Sequence, residues 1–508
     1  MSRGRKLVLL LAVACAAPVT LPRPAAAGPG DTASAAAAPA AEEARILQLA
    51  RRATFGATPG LRDEIRRLGR ARWLDQQLAP ATIPDPALAA RLATYPALDM
   101  DSAELLASYP QPKDGMLAAD AIGRPGRVLV EVASDVVTRA VHARAQLAEV
   151  MTDFWLNHFN VFAAEGPNRW AVVAWVRDAI RPHALGRFRD LLGATASSPA
   201  MLYYLDNYLS TAEGARTRRK SAGLNENYAR ELMELHTLGV TGGYSQADVE
   251  EVARVFTGWT ITPLRAGRIE FVFAPWLHDG GAKTVLGRRI APGGRGEGEA
   301  VLDLLAREPA TAEHVVRKLA SRFVADVPPE SLVQRAKQVW LRTDGDLAAV
   351  VRTILSSDEL FAASSRDAKV KSPLELVASA LRAAHADVRL GAAAAKLVAD
   401  VGQPILRAEP PTGWKETADA VVTAGGMVTR FDVASDVARN RVAGVRIDTA
   451  RWAKLLSGAG GVDALAQEIL LAPPSGATRA ALVEARDAGA TPDLLAALVL
   501  SSPEFQQQ

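Results

Sequence analysis

Apolar residues recur at intervals of three and four along most of the chain from Glu42 onward, and strict alternation is confined to one short stretch. That pattern predicts a mainly α protein: a large multi-helix globular fold with one small β-hairpin near residues 269–290. The densest stretch is residues 224–260, LNENYARELMELHTLGVTGGYSQADVEEVARVFTGWT. Asn225 suits an N-cap, Glu226 puts negative charge in the first helical turn, and Gly239 marks a stop. Tyr228, Leu232 and Leu235 fall on one apolar stripe, flanked by Asn227, Glu231, Glu234 and Leu238. Ser245 with Asp248 three residues later reads as a second helix start, and Val249, Val252, Ala253 and Phe256 follow at helical spacing up to Gly258. Gly242-Gly243 supplies the turn, so the stretch is predicted to be a helical hairpin with an acidic flank.

The remaining elements follow from the same rules. Thr58-Pro59 opens a helix through Leu68, residues 80–126 are rich in proline and glycine and read as surface connection, and a long helix is expected from Arg127 through Phe162. Another spans Trp170 to Ile180. Residues 269–273 alternate and read as a strand, with 284–290 as its expected partner. Helices return at 298–307, 312–325, 329–341 and 347–355, and Ser372, Pro373 and Glu375 form a start signal for another. Residues 402–427 are an irregular excursion around Trp414, and the last third is mostly helix.

Composition changes the picture at the N-terminus. Arg3, Arg5 and Lys6, the apolar run from Leu7 to Val13 and Ala25-Ala26-Ala27 form the three parts of a secretory signal over residues 1–27. Residues 28–41 then read as an Ala/Pro/Gly linker, and 42–508 as a single helical unit. Removing residues 1–27 takes the formal charge from +3 to −1, which gives a nucleic-acid role no global electrostatic support. The chain is therefore expected to be exported, to the periplasm or beyond, with no transmembrane span in its mature part. Its one cysteine, Cys15, follows a poor lipoprotein box, and a lipidated chain is the alternative; no disulfide framework exists in the mature part.

Several polar groups are candidates for chemistry, each with a bland alternative. His158 lies on the apolar stripe Leu147, Met151, Phe154, His158: a core histidine, or an acid or base in a pocket wall with Asp153 and Asn157 alongside. His278, Asp279 and Lys283 place an imidazole, a carboxylate and an ammonium within six residues, where Asp-Gly is also ordinary turn chemistry. Glu231 and Glu234 share a helix face and could help hold a hard cation, or else pair with Arg230 or Arg254, with Glu226–Arg230 as an ordinary pair. A divalent cation is the one cofactor these residues leave open. Lys369 and Lys371 precede a helix N-terminus, an arrangement that can hold an anion or be two solvated lysines. Residues 214–220, GARTRRK, are a solvated basic loop or a contact for an anionic envelope polymer. No GxSxG, HExxH, CxxC, Walker or GxGxxG pattern is present. The sharpest expectation is one shared site, in which the His278–Lys283 loop folds back near His158 and the Glu231/Glu234 flank.

The segments NENYARELMELHTLGV, GGYSQADVEEVAR, FWLNHFNV, SPAMLYYLDN, HDGGAKTVLG, ATAEHVVRKLASRFVAD, KVKSPLELVASALRA and PPTGW together resemble an exported bacterial family, the domain of unknown function 1800. The resemblance runs from about Ile46 to the C-terminus and covers His278, Asp279 and Lys283 directly. The family commonly has a second tryptophan soon after PPTGW; here Lys415 to Ala420 contain none. Since genes of this family often neighbour one for an exported sulfatase-like protein, the resemblance implies such a protein as a partner. Two classes of function follow: a binding or scaffold protein of the envelope, or an envelope hydrolase using His158, His278, Asp279, Lys283 and a central glutamate.

Overall fold

Capping side chains and prolines begin most helices, and the computed structural model, which describes residues 34–215 and 223–508, realises many of these starts. The expected signal segment and most of the basic loop (residues 216–220) lie outside the described residues. The expected linker is helical from Ser34, the first residue of a helix that runs to Ala53. Contacts divide the described residues into two compact units: one holds residues 34–75 with 360–402 and 416–508, the other the described part of 76–359 with 403–415.

In the first unit the helix Pro373–Ala383 is buried on all sides, as expected of a helix with Leu374, Leu376, Val377, Ala380 and Leu381 spread round its circumference. It begins as the sequence indicates: the Ser372 hydroxyl accepts from the Glu375 N–H and Glu375 reaches back to the Ser372 N–H at 2.8 Å. A short antiparallel pair, Asp387–Val388 with Val445–Arg446, belongs to the same unit.

In the second unit the long helix expected over 127–162 is two helices, Pro125–His142 and Gln146–His158. Gln146 explains the break, because its side-chain amide donates to the carbonyls of Ala140 (3.1 Å) and Ala143 (2.9 Å) and so ends the first helix while starting the second. Residues 80–126 are more ordered than surface connection: helices Pro86–Leu92 and Ser102–Ser108 bury Leu88 and Leu105.

The central hairpin forms, with Asn225 and Ser245 capping its helices and Asp248 closing a capping box. Its first helix, Glu226–Glu231, continues as a π-helical segment, Leu232–Thr237. The i→i+5 spacing of that segment rotates the side chains away from the expected stripe. Leu232, Met233, His236 and Thr237 are buried, whereas Leu235 is only partly covered.

The expected pairing of 269–273 with 284–290 is corrected. The strands are β1 (Trp259–Ile261), β2 (Phe271–Phe273), β3 (Lys283–Val285) and β4 (Arg288–Ile290), and β1 pairs with β2 while β3 pairs with β4. Leu286 and Gly287, both at positive φ, form the two-residue turn that lets β3 and β4 close on each other. Among the described residues no helix is long and apolar enough to cross a membrane.

Candidate functional site

The polar face of the helix Gln246–Val255 organises the loop that carries His278, Asp279 and Lys283. Asp248, Glu251 and Arg254 recur every three residues, so they share one side of that helix. Asp248 accepts from the Leu286 N–H (2.7 Å) and Glu251 from the Thr284 N–H (2.8 Å). Arg254 binds Asp279 through Nε at 2.8 Å and Nη2 at 3.2 Å, and Glu251 at 2.6 Å. This two-pronged contact with Arg254 holds the Asp279 carboxyl down at about 2, aided by the Gly281 N–H.

Thr257 ties the loop to the helix end. Its hydroxyl donates to the Arg254 carbonyl (2.6 Å) and accepts from the Asp279 N–H (2.9 Å). The Thr257 carbonyl lies 2.9 Å from His278 Nδ1, and His278 Nε2 lies 3.2 Å from Glu297 Oε1. Both ring nitrogens thus sit against oxygen atoms of the surrounding structure, Nδ1 against the Thr257 carbonyl and Nε2 against Glu297. Lys283 is buried, with its Nζ 2.6 Å from Glu297 Oε2 and bonded also to the carbonyls of Asp279 and Gly281. Glu297 is the residue that sequence reasoning missed. It stands at the third position of the helix Arg295–Arg307, where its carboxylate also accepts from the Gly293 N–H at 3.0 Å. Burial alone would raise its carboxyl; the bonds from Lys283, Gly293 and His278 outweigh burial and keep it low.

His158 belongs to a second cluster. Its Nε2 lies 3.2 Å from the His236 carbonyl, and a carbonyl only accepts, so Nε2 carries the proton. Nδ1 then receives a hydrogen bond from Lys318 Nζ at 2.9 Å. His314 Nε2 faces the neighbouring carbonyl, Leu235, at 3.2 Å. Two imidazoles therefore satisfy carbonyls that the π-helical end of the central helix leaves without backbone partners. Burial is the main cause that pushes His158 well below its ordinary value, with the Lys318 charge second. The same causes take His236 down to about 3, and burial takes His314 down to about 4. Gly239 ends this helix at φ +81, where a Cβ would lie 2.8 Å from His314 Nδ1, so both conformation and space demand glycine.

The polar strip beside His158 is a clamp. Asn157 donates to the Trp414 carbonyl (2.9 Å) and accepts from the Trp414 N–H (2.7 Å), pairing with the backbone as another strand would. Asn160 donates to the carbonyls of Ala408 and Pro410 at 3.0 and 2.9 Å. The segments FWLNHFNV and PPTGW are thus two halves of one contact. Asp153 lies 3.6 Å from Arg322.

The predicted residues are thus distributed over separate clusters and not one cleft. His278, Asp279 and Lys283 come together with Glu297, Arg254 and Thr257; His158 comes together with His236, His314 and Lys318. Glu234 accepts from the Tyr244 hydroxyl at 3.0 Å, and Arg254, named in sequence as its possible partner, is held by Glu251 and Asp279. Arg230 pairs with Glu226 at 3.2 Å as expected. Burial first, and Glu234 second, raise the carboxyl of Glu231. Among the described residues no group of three or more His, Cys, Asp or Glu is placed to hold a metal ion.

Beside the first cluster lies a cavity of about 360 Å³, lined by residues 211–215, Gly223, Leu224, Arg254 and Asp279. Three residues before Asp279, on the short 3₁₀ turn Pro275–Leu277, Trp276 is 71% exposed.

The class defined by this fold is a mainly helical protein whose motif-rich segments interlock through fixed polar clusters. A family model described as "Protein of unknown function (DUF1800)" matches residues 48–507, and the chain belongs to that family. No curated protein and no solved structure shows a significant match to it.

Proposed function

We propose that the protein is an exported binding protein of the bacterial envelope or periplasm, and that Trp276 with the cavity beside Arg254 and Asp279 engages a second exported protein. The observation that carries this reading is the exposure of Trp276 on a turn held from both sides. The Leu277 carbonyl accepts from the Ala212 N–H (2.8 Å), the Ala274 N–H donates to Gly258 (2.8 Å), and His278 is tied to Thr257 and Glu297. A rigid, exposed tryptophan buries much apolar area on binding with little further loss of freedom, which is why tryptophan dominates interface energetics. On this reading the charged loop is the support of a contact surface. The hydrolase reading has less support, since His158, His278, Asp279 and Lys283 are each occupied by structural partners.

The partner implied by the family resemblance is an exported sulfatase-like protein. A photocrosslinking amino acid at position 276 is expected to capture that protein in intact cells. The same group at Val327, which is 87% exposed, serves as control and should not capture it. Equal capture from both positions, or none from 276, overturns the reading. Export rests on the basic, apolar and small-residue segments of residues 1–27. Mass spectrometry of the mature chain should place its N-terminus near Gly28; a full-length cytoplasmic chain contradicts export, and a lipidated Cys15 would place the chain at the membrane.

A further inference from the structure

The helix Asn168–Ala174 runs on as a π-helical segment, Trp175–Ile180, and ends in the 3₁₀ turn Arg181–His183. Departures of this kind from the regular helix recur at functional sites. Here the segment, the helix Pro125–His142 and the stretch from Ala89 to Asp99 enclose a cavity of about 390 Å³. The cavity shares no residue with either polar cluster above. Close packing normally leaves few voids larger than a water, so a space of this size needs an explanation. It falls within the range of small-molecule sites, roughly 300–1,000 Å³. The walls are apolar: Val132, Val173 and Val176 are buried, and Leu98 is partly so. Ala89 and Ala93, four apart on one side of the outer helix, are exposed and form the rim, where their short side chains leave it open.

Polar bonds fix these walls in place. Arg177 Nη1 donates to the carbonyls of Leu98 (2.9 Å) and Met100 (3.0 Å), which ties the turn Pro96–Leu98 to the π-helical segment. Its Nε and Nη2 bind Asp178 at 2.7 and 2.8 Å. Asp135 and Glu149 stand between Arg139 and Arg181. Asp135 lies 2.5 Å from Arg139 Nε and 2.8 Å from Arg181 Nη2. Glu149 lies 3.6 Å from Arg139 Nη1 and is bonded to Arg181 Nη1. Two cations and two anions balance in this quartet. Arg139 Nη2 takes part in none of these bonds and has no hydrogen-bond partner among the described residues.

We infer that this cavity binds a small uncharged molecule with an apolar body and one carbonyl oxygen. The body lies between Leu98, Val132, Val173 and Val176, and the oxygen accepts from Arg139 Nη2. The balance of charge selects such a ligand. Arg139, Arg177 and Arg181 are matched by Asp135, Glu149 and Asp178, with Asp99 at the rim, so net charge draws no anion. A cation would meet three guanidinium groups, and both oxygens of Asp135 are already taken. A carbonyl oxygen uses the donor that remains and brings no charge into the quartet. The site is preformed, since the bonds of Arg177 and the quartet exist without a ligand, so binding orders little.

The test titrates the full chain, with ¹³C-labelled valine methyl groups, against four probes of similar size and shape. Acetophenone is neutral with a carbonyl, isopropylbenzene is neutral without one, benzoate is an anion and benzamidinium a cation. Acetophenone should shift the methyl signals of Val132, Val173 and Val176. It should bind roughly five- to tenfold tighter than isopropylbenzene, the worth of one hydrogen bond, and tighter than either charged probe. Arg139→Lys keeps the charge beside Asp135 but has no Nη2, and should bring acetophenone down to the level of isopropylbenzene. Ala93→Trp, at the exposed rim, should abolish binding of both neutral probes. If Ala93→Trp does not fold, the methyl shifts of the unaltered chain decide alone. No shift at millimolar acetophenone, shifts confined to other valines, equal affinity for the two neutral probes, a charged probe that binds tightest, or binding that survives Ala93→Trp overturns the proposal.

Discussion

Lys318 Nζ donates to His158 Nδ1 at 2.9 Å, and that bond takes the only lone pair left on the ring. With Nε2 committed to the His236 carbonyl, His158 is a structural histidine that closes the end of the central helix. His158→Gln should therefore lower stability by about 1–3 kcal/mol, the range for leaving buried polar groups unpaired, while partner binding by the folded protein is unchanged. Urea unfolding combined with a binding assay on the same sample measures both. Loss of binding with unaltered stability would place His158 in a working site.

The three histidines of this cluster set an acid limit. Unfolded, each titrates near 6.5; folded, His236 titrates at about 3 and His314 at about 4, with His158 also well below its ordinary value. Their folded values are depressed, so the stability they confer is present above about pH 6.5. Below that the unfolded chain binds more protons, and stability falls by about 1.4 kcal/mol per histidine per pH unit until the folded values are passed. Glu165, Asp206 and Glu231, raised chiefly by burial, act with the opposite sign and return part of this as the pH falls through their folded values. Denaturant unfolding at pH 7.5 and 5.5 should show a net loss at the lower pH, reduced in His158→Gln. Equal midpoints at the two pH values contradict the assignment of neutral, buried imidazoles.

Glu297 and Lys283 form a pair with both side chains almost fully covered. Removing one partner strands the other charge, so Glu297→Gln should cost about 3–5 kcal/mol. The double variant Glu297→Gln, Lys283→Met should recover a large part of that cost. A double variant no more stable than the single one would show that the two charges are not coupled.

The central helix offers a comparison of neighbouring leucines. Leu232 is 1% exposed and Leu235 only partly covered, so Leu232→Ala should cost about 2–5 kcal/mol and Leu235→Ala clearly less. Thermal melts of the two variants decide it, and equal losses would mean that the π-helical turn does not set the facing of these side chains.

Much of this hairpin is legible in the sequence because its signals are local. Asn225, Ser245 and Asp248 cap where they are expected to, and Gly239 ends the first helix at positive φ. Leu235 departs from the expected stripe because a regular 3.6-residue period assumes i→i+4 bonding, and nothing local announces the i→i+5 turn. The alternation of 269–273 points to 284–290 as its partner, whereas the two-residue turn Leu286-Gly287 pairs β3 with β4. The chemistry divides in the same way. The density of polar groups at His278, Asp279 and Lys283 is visible, but Glu297 lies beyond a glycine-rich break and shows itself only as a glutamate three residues after Gly294. His314 and Lys318 stand four apart within ATAEHVVRKLASRF, yet their convergence on His158 depends on tertiary packing that spacing along one helix does not contain.

On the proposed reading the loop network supports Trp276 as a contact surface. Its most direct measurement is the affinity of the purified protein for the exported sulfatase-like protein, compared among the unaltered chain, Trp276→Ala and His158→Gln. Trp276 is 71% exposed, so its loss should leave the melting temperature unchanged. Affinity should fall by about 2 kcal/mol or more, roughly thirtyfold in Kd, as for a tryptophan at the centre of an interface. His158→Gln should bind as the unaltered chain does. Unchanged affinity in Trp276→Ala, or a complex that only His158→Gln disrupts, would contradict the account.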